Sequence, residues 1–118
     1  GHLNLVDEEC ELFPGFFMKM CTGHTPGLMI PVIKYKDKTL VYTGDLFPTV
    51  AHIPIIWNMS YDIESLKSID EKDRMLKEAL AGGYIFVFQH DEHIECCTLE
   101  MTPKGIRAKG KFKFSEIV

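Results

Sequence analysis

A chain of 118 residues with 46% hydrophobic and 25% charged residues can bury one packed core, so a single domain over residues 1–118 is expected. A formal net charge of -4 argues against a surface given over to nucleic acid or an anionic membrane, and neither is expected as a partner. Pro31, Pro48 and Pro54 interrupt the most apolar stretches, and none approaches the roughly 18 residues that a spanning helix requires. At the N-terminus, Gly1-His2 reads as the remnant of a cleaved tag, which removes His2 from site reasoning.

Residues 3–13 are mixed, and Pro14-Gly15 breaks the chain before a strand over residues 16–21. A turn carrying Gly23, Pro26 and Gly27 follows. Two β-rich runs, 28–36 and 39–43, are then close enough to form a hairpin, and Asp45 stands just beyond the second. Residues 47–61 are apolar but broken by two prolines, so an ordered loop is expected. Ser68 and Glu71 have the Ser-x-x-Glu form of a capping box, which predicts a helix starting there, with 62–67 as a preceding turn. Met75, Leu76, Ala79 and Leu80 recur at helical spacing, and Gly82-Gly83 supplies the stop.

Residues 84–89 form a compact apolar run of strand length that ends at His90. Strands over 95–102 and 106–114 follow, joined by Pro103-Lys104-Gly105. In the last strand Ile106, Ala108, Gly110, Phe112 and Phe114 alternate with Arg107, Lys109, Lys111 and Lys113. This basic strip reads as a solvated face guarding an edge strand; a phosphate-tracking strip would carry interleaved aromatics. The four cysteines, 10, 21, 96 and 97, lack Cys-x-x-Cys spacing and disulfide density, which points to reduced thiols in the cytoplasm. As strand neighbours, Cys96 and Cys97 face opposite sides and are expected to pack rather than chelate.

Three side chains of metal-ligand type stand after apolar strands: His24, Asp45 and His90. Strand ends are where side chains from distant positions converge in layered α/β folds. Imidazole nitrogen and carboxylate oxygen suit zinc, and an aspartate has two oxygens with which to bridge two ions. His52 and His93 are alternative ligands, each better read as a loop residue or a support for a ligand.

The flanks resemble the metallo-β-lactamase superfamily across nearly the whole chain. The blocks are Phe13-Pro14-Gly15-Phe16, Thr22-Gly23-His24-Thr25-Pro26-Gly27, Tyr42-Thr43-Gly44-Asp45-Leu46 and Phe88-Gln89-His90-Asp91. The Gly-His-Thr-Pro-Gly block is the most specific of them. The stretch through Ala51-His52-Ile53-Pro54, Trp57 and Tyr61-Asp62 looks like the lactonase and esterase branch. By this resemblance His24 completes the site of a first metal, Asp45 bridges two zinc ions and has the catalytic role of anchoring the nucleophile, and His90 binds the second.

The implied fold is α/β: half of an αβ/βα sandwich, with a mostly antiparallel or mixed sheet and one main helix packed on it. The implied activity is hydrolysis of ester, lactone or related bonds in a small-molecule substrate by metal-activated water. His-x-His-x-Asp-His, the family's other ligand motif, does not occur in these 118 residues. The chain is therefore expected to be the C-terminal portion of a longer hydrolase, inactive alone, with an apolar face that pairs with the missing half or with a second copy of itself. A non-catalytic binding or assembly module that keeps half of the fold is the alternative.

Overall fold

In the computed structural model, which describes residues 1–117, seven strands lie side by side in sequence order in one mixed sheet. They are β1 (Cys10–Phe13), β2 (Phe16–Met20), β3 (Met29–Tyr35), β4 (Lys38–Tyr42), β5 (Ile85–Val87), β6 (Cys96–Thr102) and β7 (Gly105–Phe112). The one long helix, α1 (Ser65–Gly82), connects β4 to β5. Short turns join antiparallel neighbours, whereas a parallel pair requires a crossover. Accordingly β4 and β5 are parallel, and the other five neighbouring pairs are antiparallel. A mixed sheet with one main helix is the architecture expected from the sequence.

Alternation along the central strands gives the sheet two buried faces. Ile30, Val32, Val41, Phe86, Cys97 and Ile106 share one cluster with Met75, Leu76 and Ala79 of α1 and with Leu46, Phe47 and Ile53 from the loop after β4. The opposite cluster is small: Leu40, Ile85, Cys96 and Ile117 are buried, and Ile33, Tyr35, Val87 and Phe112 only partly so. Cys96 and Cys97 thus face opposite sides, both 0% exposed. Burial pushes the Cys96 thiol to about 11 and the Cys97 thiol to about 12, which suits packing rather than chelation.

Two local expectations are corrected. The clean alternation of the last strand breaks, because three steps of β7 from Ala108 to Lys111 oppose two steps of β6 from Leu99 to Cys97. The extra residue is a bulge that sends Phe112 to the face opposite Ile106 and Ala108, and the Thr98 hydroxyl accepts the Gly110 amide at 3.1 Å. Lys109, Lys111 and Lys113 are exposed along this edge. The second correction concerns α1, which begins at Ser65 rather than Ser68. Glu71 does not cap this helix; its carboxylate reaches amides of another loop. The helix stops at Gly83 in a left-handed conformation, as Gly82-Gly83 predicts. Among the described residues no helix is long and apolar enough to cross a membrane.

Candidate metal centre

Strand direction brings the three predicted ligands to one edge of the sheet. Tyr42 of β4 pairs with Val87 of β5 in parallel register, and Asp45 and His90 each stand three residues further on. Two antiparallel steps separate β2 from β4, so β2 runs the same way and delivers His24 to that edge as well. The Asp45 carboxylate lies between the two imidazoles. Its Oδ2 is 3.4 Å from His24 Nε2 and its Oδ1 is 3.0 Å from His90 Nε2.

The Asp45 turn is set by Thr43 and Gly44. Thr43 is fully buried; its hydroxyl lies 2.8 Å from the Phe47 carbonyl and 3.1 Å from that of Val87, tying the turn to β5. Gly44 has φ of 50°, a left-handed conformation that L side chains adopt at a cost. The chain thereby reverses sharply and presents the carboxylate, 30% exposed, at the sheet edge.

The His24 loop is bolted to the start of α1 at several points. Glu71 accepts the Thr22 and Gly23 amides, both at 2.8 Å. The Gly23 and His24 carbonyls accept the Glu64 amide at 2.8 Å and the Ile63 amide at 3.1 Å. A Cβ at Gly23 would come within 2.5 Å of the Ser68 amide nitrogen, so this approach admits only glycine. His24 Nδ1 faces Asp62 Oδ1 at 2.6 Å, which leaves Nε2 as the ring nitrogen aimed at Asp45. Tyr61 packs edge-on against the His24 ring at 5.8 Å between centroids.

His90 is held less completely. Its amide donates to the Pro48 carbonyl at 3.1 Å, and its side chain remains 50% exposed. The adjacent Asp91 accepts amides of Val50 (2.9 Å), Ile94 (2.8 Å) and His93 (3.0 Å). Burial pushes the Asp91 carboxyl upward, but those three amides prevail and hold it below its ordinary value. The same contacts place a short 3-10 helix, Val50–His52, beside His90. His90 and His52 line a cleft of about 540 Å³ together with Pro48, Thr49, Met59 and Tyr61. The expected loop therefore contains a helical turn, and it is pinned from beneath by Lys72, which is 1% exposed. Lys72 Nζ lies 2.8 Å from the Trp57 carbonyl and 3.4 Å from those of Pro54 and Ile55.

The donor set can be compared with what a zinc ion requires. Two donors sharing a tetrahedral ion at bonds of about 2.0–2.1 Å stand about 3.3 Å apart. The 3.4 and 3.0 Å separations at Asp45 are of that size, and a carboxylate supporting the far nitrogen of a histidine ligand is a recurrent feature of metal sites. Each ion, however, would receive two donors from these residues, and among the described residues no group of three or more His, Cys, Asp or Glu converges to hold one. Of the alternative ligands, His52 instead bonds Thr49 through Nδ1, and His93 is exposed, 4.0 Å from Glu92. Asp62, Glu71 and Thr49 escape a reading by local pattern. Only the need of each ring for a second partner signals Asp62, since the pair is separated by 38 residues.

Solved structures give the same arrangement a context. A probable metal-dependent hydrolase from Staphylococcus aureus superposes with a TM-score of 0.82 at 31% identity, over 92% of this chain and 39% of its own. The chain carries half of the metallo-β-lactamase fold. AidC, a dizinc quorum-quenching lactonase solved with the product N-hexanoyl-L-homoserine, matches this half-fold with a TM-score of 0.74 at 19% identity, over 89% of this chain and 36% of its own. The hydrolase AbOPH of the β-lactamase superfamily gives 0.71 at 20% identity, over 86% of this chain and 36% of its own. The half-fold thus spans less than two fifths of the length of these hydrolases. No protein-family model and no curated protein sequence matches it.

Proposed function

We propose that this half-fold contributes His24, Asp45 and His90 to a dinuclear zinc centre of a metallo-β-lactamase hydrolase. The observation that carries the reading is that each oxygen of the Asp45 carboxylate faces the Nε2 of a different imidazole, at 3.4 and 3.0 Å. When bound, the two ions would supply Lewis acidity, lowering the pKa of water toward neutrality and polarising a carbonyl. Asp45, which lies between the two imidazoles, would contribute one oxygen to each ion. His24 is kept in one tautomer by Asp62, and Tyr61 packs edge-on against its ring. The cleft beside His90, with Met59 and Tyr61 in its wall, suits a small molecule with an apolar portion, which agrees with ester or lactone hydrolysis.

A catalytic zinc ordinarily has three protein ligands, and this chain offers two to each ion. The remaining ligands therefore come from outside these residues, from a preceding segment of the same protein or from a partner. The 118 residues alone are expected to bind zinc weakly and to hydrolyse nothing. In the full-length protein, Asp45→Ala should reduce bound zinc, measured by elemental analysis, and abolish ester and lactone hydrolysis. Full activity with unchanged zinc in that variant would remove Asp45 from the centre.

A further inference from the structure

His52 lines the cleft with His90 yet plays no part in the proposed metal centre. It closes the 3-10 helix Val50–His52, whose first turn is capped by Thr49. The Thr49 oxygen accepts the Ala51 amide at 3.2 Å and stands 2.9 Å from His52 Nδ1. A hydroxyl carries one proton, and a neutral imidazole has one donor and one acceptor nitrogen. The oxygen can accept twice, so both ring tautomers fit the Ala51 bond; where the hydroxyl donates to Nδ1, the ring carries its own proton on Nε2. Among the described residues no protein group is hydrogen-bonded to that Nε2. Burial first, and then the Lys72 ammonium, hold His52 below the usual histidine pKa against the opposing pull of Asp62, so the neutral ring prevails at pH 7.

We infer that His52 is a substrate-contacting residue that donates its Nε2 hydrogen to the carbonyl oxygen of the ester or lactone in the cleft. Thr49 is the positioning residue that fixes the tautomer. This inference deepens the hydrolase reading and rests on it for the identity of the acceptor. A donor on the wall of the cleft that His90 also lines would orient a bound carbonyl there without taking part in bond breaking. Two neighbouring features make the direction reproducible: Asp91 grips the Val50 amide at 2.9 Å, and the Thr49 carbonyl accepts the His52 amide at 3.0 Å.

The test uses the full-length, zinc-loaded protein with two readouts. In the first, His52→Ala should lower kcat/KM for a lactone or ester about tenfold, the value of one neutral hydrogen bond, with zinc content unchanged. His52→Gln, which retains an N–H donor, should recover most of the loss. The second is the nitrogen NMR spectrum of the imidazoles, in which His52 should appear as the neutral Nε2–H tautomer near pH 7 and should lose that preference in Thr49→Val. An Nδ1–H tautomer, an unchanged kcat/KM in His52→Ala, or zinc lost with the ring would each overturn the inference. If the unaltered protein hydrolyses neither substrate, the hydrolase reading fails and the assigned acceptor falls with it, while the ring spectrum still reports separately whether the donor exists.

Discussion

His24 and His90 approach the same carboxylate but are supported very differently. The His24 side chain is 8% exposed, with Asp62 against Nδ1 and with the amides before it locked by Glu71. The His90 side chain is 50% exposed, and its Nε2 lies 3.0 Å from Asp45 Oδ1; what holds that loop is its backbone and the neighbouring Asp91. The difference originates in α1. Glu71 and Lys72 are adjacent on the helix, and one fastens the His24 loop while the other fastens the cleft loop carbonyls. His90 receives no such support from the helix, so its imidazole is the ligand left to be fixed by what else surrounds the centre.

This contrast is broken most severely at Gly23. The Ser68 amide nitrogen lies 2.5 Å from where a Cβ would stand, and backbone of α1 cannot yield as a flexible side chain does. Gly23→Ala is expected to cost about 3 kcal/mol in denaturant-induced unfolding, at the upper end of overpacking effects.

Lys72 gives the next effect, and it is a pH dependence. Burial outweighs the pull of Asp62 and lowers the ammonium from 10.5 to about 8 in the folded protein. The unfolded chain therefore binds more protons between these values, so stability should rise as pH increases through that window. Relative to Lys72→Met, the unaltered protein should gain on the order of 2 to 3 kcal/mol from pH 8 to 10.5, read from paired unfolding curves. A difference that stays flat with pH would show that Lys72 is not held in this buried cage.

Asp62→Asn sharpens the comparison with the least damage to the fold. Removing the carboxylate beside His24 Nδ1 should weaken zinc binding by about 10- to 100-fold, measured by competition with a chelator. The effect should fall on the site shared by His24, leaving the His90 site the tighter of the two.

Six of the seven strands and the helix were legible because their signals are local, whereas β1 lies in the stretch 3–13 that reads as mixed. The β-rich runs of β3 and β4, the compact apolar run of β5, the helical spacing of Met75, Leu76 and Ala79, and the paired glycines after α1 each act within a few residues. The placing of His24, Asp45 and His90 near one another followed from strand ends, and their common edge from the direction of three strands. What escaped was non-local. Ser68-x-x-Glu71 has the spelling of a helix start, but Glu71 satisfies the Thr22 and Gly23 amides about fifty residues upstream, so the helix begins earlier. Asp91 and Val50 are separated by 41 residues, and no spacing rule links a carboxylate to a distant amide. Bulges escape for a related reason: one extra residue at Lys109–Gly110 leaves hydrophobic alternation intact on paper while it turns Phe112 to the other face.

In the proposed centre one carboxylate would serve two ions, each shared with a different imidazole. Anomalous diffraction at the zinc edge from crystals of the full-length, zinc-loaded protein tests it directly. Two peaks are predicted, one bonded to His24 Nε2 and Asp45 Oδ2, the other to His90 Nε2 and Asp45 Oδ1, at about 2.0–2.2 Å from each donor. Zinc bound elsewhere, or absent from between these three side chains, would contradict the account.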